Sequence, residues 1–235
     1  MSADPDIAQR LRIMFGKQGG LRFISHLDLI KVWERSLRRA DLPVLYTKGF
    51  NARPRIQLAL ALPLGFTSEC EYLDVFLREA VKVDGLSERL TSKCPTGLYV
   101  IAVEEVAPEA VSLEHEVERS SYEINFVDSI NPEVLRSRVA KLLSQQTILK
   151  IETNRRGRKS AYDLRALVFS LEVRDANTLV AQLATGTRGN LRPDTLLQEL
   201  ELADRYTRIH RLRLYFRDEV PQALPKSTDP QNTRS

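Results

Sequence analysis

Cysteine, histidine and tryptophan are all scarce in this sequence of 235 residues, at two, three and one copies. Cys70 and Cys94 are isolated, with no further Cys or His at a ligand spacing. That excludes a zinc ribbon and an iron–sulfur cluster held by cysteines alone. Three histidines leave too little for a His-rich metal centre, so no metal site is expected. No uncharged apolar run approaches the ~18 residues of a membrane span, so no membrane partner is expected either. Residues 1–10 carry Asp4 and Asp6 and lack an apolar core, which predicts no secretory signal. Lone thiols without a leader predict a reduced, cytoplasmic setting.

What is present is an ordinary globular composition, 43% hydrophobic and 28% charged, enough to bury a core. The net charge of +4 is a sum of unequal blocks. Residues 10–60 hold 11 Lys and Arg against 3 Asp and Glu, residues 61–119 hold 5 against 12, and residues 120–235 hold 19 against 14. Clustered cations bind polyanions, while an acidic block suits a different contact. Mixing of the blocks in space is the alternative.

The chain order predicts an α+β fold. Residues 11–15 form an apolar run ending at Gly16, and 21–24 extend it as strand. Ser25 then opens a helix, with Asp28 three residues on completing a capping box. Leu27, Ile30, Trp33 and Leu37 give its apolar stripe. Strands follow at 44–46, 56–62 and 72–78, a helix at 85–93 and a strand at 98–106. Residues 108–119 are acidic and poor in apolar residues, and read as a linker or exposed edge. A second cycle has strands at 122–126, 148–153, 167–173, 178–184 and 209–216, with helices opening at Asn131-Pro132 and Arg192-Pro193-Asp194. The prediction is two tandem ferredoxin-like (βαββαβ) units with antiparallel sheets, 10–107 and 120–217, and a disordered tail at 218–235.

The densest polar constellation lies between Ser25 and Arg55. Ser25, His26 and Asp28 stand at a helix start, Arg38 and Arg39 at its end, then Tyr46, Lys48, Phe50, Asn51, Arg53 and Arg55 follow. A helix N-terminus with a hydroxyl and an imidazole suits an anion, and the loop combines cations with an aromatic face for a base. For Ser25 and Asp28 the favoured reading is a helix cap alone. A triad of Ser25, His26 and Asp28 is not expected, because neighbouring helical positions point about 100° apart. A second basic run comprises Arg155, Arg156, Arg158 and Lys159 around Gly157, on an expected hairpin tip. Arg192 begins the last helix after a glycine-containing loop. These residues form the expected nucleic-acid surface, with His26 the one candidate for general acid–base work. Asp163 and Arg165 read as a cross-strand pair.

Residues 21–29 (Leu-Arg-Phe-Ile-Ser-His-Leu-Asp-Leu), Gly49-Phe50-Asn51, Leu62-Pro63-Leu64-Gly65, Ser68-Glu69 and Glu71-Tyr72-Leu73-Asp74 resemble the radical-SAM-linked protein family, a domain of unknown function. The resemblance implies a radical SAM protein as partner. The iron–sulfur cluster and SAM then belong to that partner, with no cofactor on this chain, which lacks the three closely spaced cysteines such a cluster requires. Together these features predict an RNA-binding accessory module that presents structured RNA, tRNA or rRNA, to a radical SAM enzyme. Two alternatives stay open. One is a metal-independent endoribonuclease or nucleotide-processing enzyme using His26 with Arg38, Lys48 or Arg53. The other is a protein-only scaffold whose acidic block contacts the partner.

Overall fold

Leu11, Ile13 and Phe15 alternate with Arg10, Arg12 and Met14, the period of a strand with one buried face. Strand β1 (Gln9–Lys17) follows that pattern in the computed structural model, which describes residues 6–153, 157, 159–186 and 189–217. The remaining elements are α1 (His26–Arg39), β2 (Ile56–Leu58), β3 (Thr67–Leu77), α2 (Leu86–Lys93), β4 (Leu98–Val106), a single turn α3 (Leu113–Glu116), β5 (Val117–Phe126), α4 (Pro132–Ser144), β6 (Leu149–Thr153), β7 (Lys159–Asp163), β8 (Val168–Val173), β9 (Thr178–Ala184), α5 (Pro193–Glu199) and β10 (Thr207–Phe216). The fold is mixed α+β, with a large, mostly antiparallel sheet and few helices.

Eight strands form the main sheet, ordered β4-β1-β3-β10-β5-β9-β8, with β2 also on β3. The N-terminal half contributes the order β4-β1-β3-β2, and the C-terminal half contributes β10-β5-β9-β8. They join through a parallel pairing of two residues, His210 with Thr67 and Arg211 with Ser68. Strands β6 and β7 form a separate ribbon.

Each half has its own core. Leu11, Ile13, Phe15, Leu73 and Val75 pack against Leu29, Trp33 and Leu37 of α1 and Leu86 and Leu90 of α2. Trp33 meets Phe15 edge-on at 4.9 Å between ring centroids. Tyr122, Ile124, Leu179 and Leu183 pack against Leu135 and Val139 of α4 and Leu196 of α5, and this second core also receives Leu62 and Phe66 from the other half. No helix among the described residues is long and apolar enough to cross a membrane.

The segment between β4 and β5 must pass from the sheet's edge over β1 and β3, and it does so on the helix-free face. Arg10 donates to the carbonyls of Pro108, Ala110 and Val111. Leu113 and Val117 seal a third small core with Cys70 and Leu214, against Met14, Tyr72 and Phe216. The helix-free face is therefore covered over β1 and β3, while Ala102 and Glu104 of β4 and Gln57 of β2 stay exposed.

Several expected elements differ. Residues 19–23 form a 3-10 turn, because Gly19 adopts a φ of +60° and takes the chain off the sheet after Lys17. The strand expected at 56–62 pairs only over Ile56–Leu58, since Leu62 and Phe66 turn into the second core. Residues 44–46 make two isolated bridges, Val44 to Leu77 and Tyr46 to Pro54. The predicted tail, 218–235, lies outside the described residues.

Candidate functional site

Helix α1 places the predicted residues at its two ends. At the first, Ser25 Oγ accepts from the Asp28 amide at 3.1 Å and donates to Asp28 Oδ2 at 2.7 Å. The hydroxyl and then Lys31 hold the Asp28 carboxyl below the usual range. Ser25 and Asp28 thus close a cap on each other. His26 Nδ1, by contrast, is buried without a hydrogen-bond partner.

Fourteen residues at ~1.5 Å each put the other end about 20 Å away. There Arg39 donates to the Lys93 carbonyl at 2.6 Å, tying α1 to the end of α2. Arg38 points outward and lines a cavity of about 230 Å³ with Glu34, Leu37, Tyr46, Pro54 and Arg78. This cavity is the base of a projecting arm, residues 44–56. The arm is laced by Thr47 N to Arg53 O at 2.8 Å, Arg53 N to Thr47 Oγ1 at 3.0 Å and Arg55 N to Leu45 O at 2.8 Å. Gly49 turns its tip with φ +125°, where a side chain would be strained. Phe50 beside it is fully exposed, at 107%. Asn51, Arg53 and Lys48 are exposed too, the last in a surface ion pair with Asp6 at 2.5 Å. Arg55 instead lies over the Phe76 ring at 4.9 Å, a ring that Arg10 also approaches at 5.1 Å.

The arm therefore brings together Arg38, Lys48, Phe50, Asn51 and Arg53, and adds Arg78, which sequence reasoning missed. It does not bring Ser25 or His26 to them. In the C-terminal half, Lys159 is exposed at the start of β7, while Arg155, Arg156 and Arg158 lie outside the described residues. Arg192 precedes α5 and pairs with Asp194 at 2.6 Å. Asp163 and Arg165 do not pair as side chains. The Asp163 carboxylate accepts from the Ile148 and Arg165 amides, and the Arg165 guanidinium donates to the Val168 carbonyl.

A second cluster of charge, absent from the sequence expectation, sits under the seam. Lys17, Glu71 and Arg211 are each at most 2% exposed. Arg211 Nη1 contacts both Glu71 oxygens, at 2.9 and 3.1 Å, and Nη2 reaches the Tyr122 hydroxyl at 3.3 Å. Burial lowers the Lys17 ammonium from its ordinary value, Glu71 opposes that shift and Arg211 adds to it. For Arg211, burial pulls downward but Glu71 and Tyr122 outweigh it, holding the guanidinium above its ordinary value. Nearby, Arg10 and Arg12 share the buried Asp74 carboxylate at 2.5 and 3.0 Å. A charge interrupting an apolar alternation, as at Arg211 between Ile209 and Leu214, is the only sequence signal of such clusters. Burial pushes the Cys70 thiol up to about 12, as suits an inert core cysteine. Among the described residues no group of three or more His, Cys, Asp or Glu could hold a metal ion.

A family model described as an uncharacterized protein conserved in bacteria, DUF2344, matches residues 10–193. The chain belongs to this family. The DUF2344 match contains α1, the arm and Glu71 and stops before β10; its description names no partner and no radical SAM protein. No curated protein matches the chain. Among solved structures, one titled "Crystal Structure of a Cbf5-Nop10-Gar1 Complex" is similar at 11% identity and a TM-score of 0.44, over 91% of this chain and 55% of that one. The DUF2344 chain thus spans little more than half the length of that solved chain.

Proposed function

We propose that this DUF2344 protein is an RNA-binding accessory module that presents structured RNA, tRNA or rRNA, to a partner radical SAM enzyme in the cytoplasm. The observation that carries the RNA part is the arm. Phe50 stands fully exposed at its tip, beside Asn51, with Lys48 and Arg53 along it and Arg38 and Arg78 at its base. An exposed ring contributes nothing to folding, and a base can stack on its face while cations meet the phosphates. We also read each half as a ferredoxin-like unit, a reading supported by the matching orders β4-β1-β3-β2 and β10-β5-β9-β8. With the helix-free face covered over β1 and β3, RNA engages the arm rather than the centre of that face. The radical SAM partner, carrying the cluster and SAM, rests on the motif resemblance. An endoribonuclease that brings His26 and Arg38, Lys48 or Arg53 to one phosphate fits poorly, because α1 separates them. Filter binding of total tRNA at two salt concentrations tests the proposal. Binding that weakens steeply with salt is expected; no binding at micromolar protein contradicts it.

A further inference from the structure

The helix-free faces of the two halves differ. Over β1 and β3 that face is covered, whereas in the C-terminal half it carries exposed and half-buried side chains. Arg119 of β5 pairs with Tyr215 of β10 on one side and with Ala184 of β9 on the other. The next residue of β9, Leu183, belongs to the core under α4 and α5, so Arg119, Tyr215 and Ala184 point away from the helices. Arg213 and Arg208, both exposed, share this face opposite Ser121 and Asn125.

Two aromatic rings lie here. The Arg119 guanidinium sits 3.8 Å from the centroid of Phe169 on β8, and Arg213 lies 5.0 Å from that of Tyr215. Both rings are half-buried, and neither joins any of the three cores. Three strand spacings of ~4.8 Å put β8 and β10 about 14 Å apart, with the short Ser121 and Ala184 as the floor between them. The charge is unequal as well. Arg119, Arg174, Arg208 and Arg213 stand against Glu123 and Glu172, and Arg174 meets both glutamates, at 3.3 and 4.0 Å. At the β3 edge Glu69 meets His210 at 3.6 Å. Arg119 Nε has no hydrogen-bond partner, and Arg208 has no ion-pair partner among the described residues.

A flat cationic face suits a polyanion, and its rings narrow the choice. Bases stack on aromatic rings and on guanidinium planes only once they are unstacked from each other, which a duplex does not allow. An acidic peptide would meet the cations and leave the rings unused. We infer that the helix-free face of the C-terminal sheet binds a single-stranded RNA segment of about two or three nucleotides, an inference that rests on the RNA reading above. One base extends the Phe169–Arg119 stack, a second lies on Tyr215, and Arg208 and Arg213 meet phosphates.

Fluorescence anisotropy of labelled hexauridylate with the full chain tests this. Phe169→Leu and Tyr215→Leu should each weaken binding about tenfold, more than Phe50→Ala does. Arg208→Gln, at an exposed position, should lower the slope of log affinity against log salt by about 0.7, one phosphate contact on a single strand. Oligoglutamate of equal charge should compete poorly. A larger loss in Phe50→Ala than in the two ring variants, an unchanged slope in Arg208→Gln, or equal competition by oligoglutamate overturns the inference. Salt-dependent tRNA binding is measured on the same samples. Its retention without hexauridylate binding at submillimolar protein refutes the sheet face alone, and loss of both refutes the RNA reading.

Discussion

Arg10, Arg12 and Lys17 on β1 carry the same charge as Lys48 and Arg53 on the arm and meet opposite fates. The first three are buried or nearly so, two of them on Asp74 and the third under the seam beside Glu71 and Arg211. The arm's pair is exposed and flanks an exposed aromatic. Buried charges need partners to be tolerated, so their positions are dictated by folding. Arg53, exposed beside a bare ring, has no such explanation, and Lys48 meets only a surface ion pair with Asp6. The basic excess of residues 10–60 is therefore smaller at the surface than on paper, because Arg39 and Arg55 are also engaged, by the Lys93 carbonyl and the Phe76 ring.

This contrast breaks most visibly at the seam. Glu71→Gln leaves Lys17 and Arg211 buried without their anion and should cost about 3–5 kcal/mol in denaturant unfolding. Lys17→Met removes the excess cation and should be close to neutral or stabilising, so a larger loss for Lys17→Met than for Glu71→Gln would invert the assignment. Asp74→Asn should come next, at about 3 kcal/mol, since two guanidiniums lose one carboxylate and the segment held by Arg10 loosens. On the arm, Phe50→Ala should cost about 1–3 kcal/mol of RNA affinity while changing stability by less than about 0.5 kcal/mol. A stability loss with unchanged RNA binding would place Phe50 with the structural residues.

The smallest effect is at the α1 cap. Asp28 is held below its unfolded value of about 3.9, so its contribution is complete above that value and is lost as pH falls through the folded value. Amide protection at the start of α1, measured relative to the intrinsic exchange rate at each pH, should fall in that acid window and should be lower at neutral pH in Asp28→Asn.

Local chemistry was legible in the sequence. The Ser25–Asp28 box, the alternation in β1 and the proline opening α5 each rest on neighbours a few residues apart, and the arm announced itself by cations around Gly49-Phe50-Asn51. Long-range partners were not legible. Residues 56–62 read as one strand because nothing nearby reveals that Leu62 belongs to the other half's core. Arg211 meets Glu71 across 140 positions through a two-residue parallel pairing, and Arg10 looks like Arg53 until Asp74 is placed beside it.

The sharpest test of the division between folding cations and RNA-facing ones is the slope of log affinity for tRNA against log salt in two variants. Arg53→Ala should lower that slope by about 1, one phosphate contact, whereas Arg39→Ala should leave it unchanged. Equal slopes in both variants and the wild type, or a drop only in Arg39→Ala, would contradict the division.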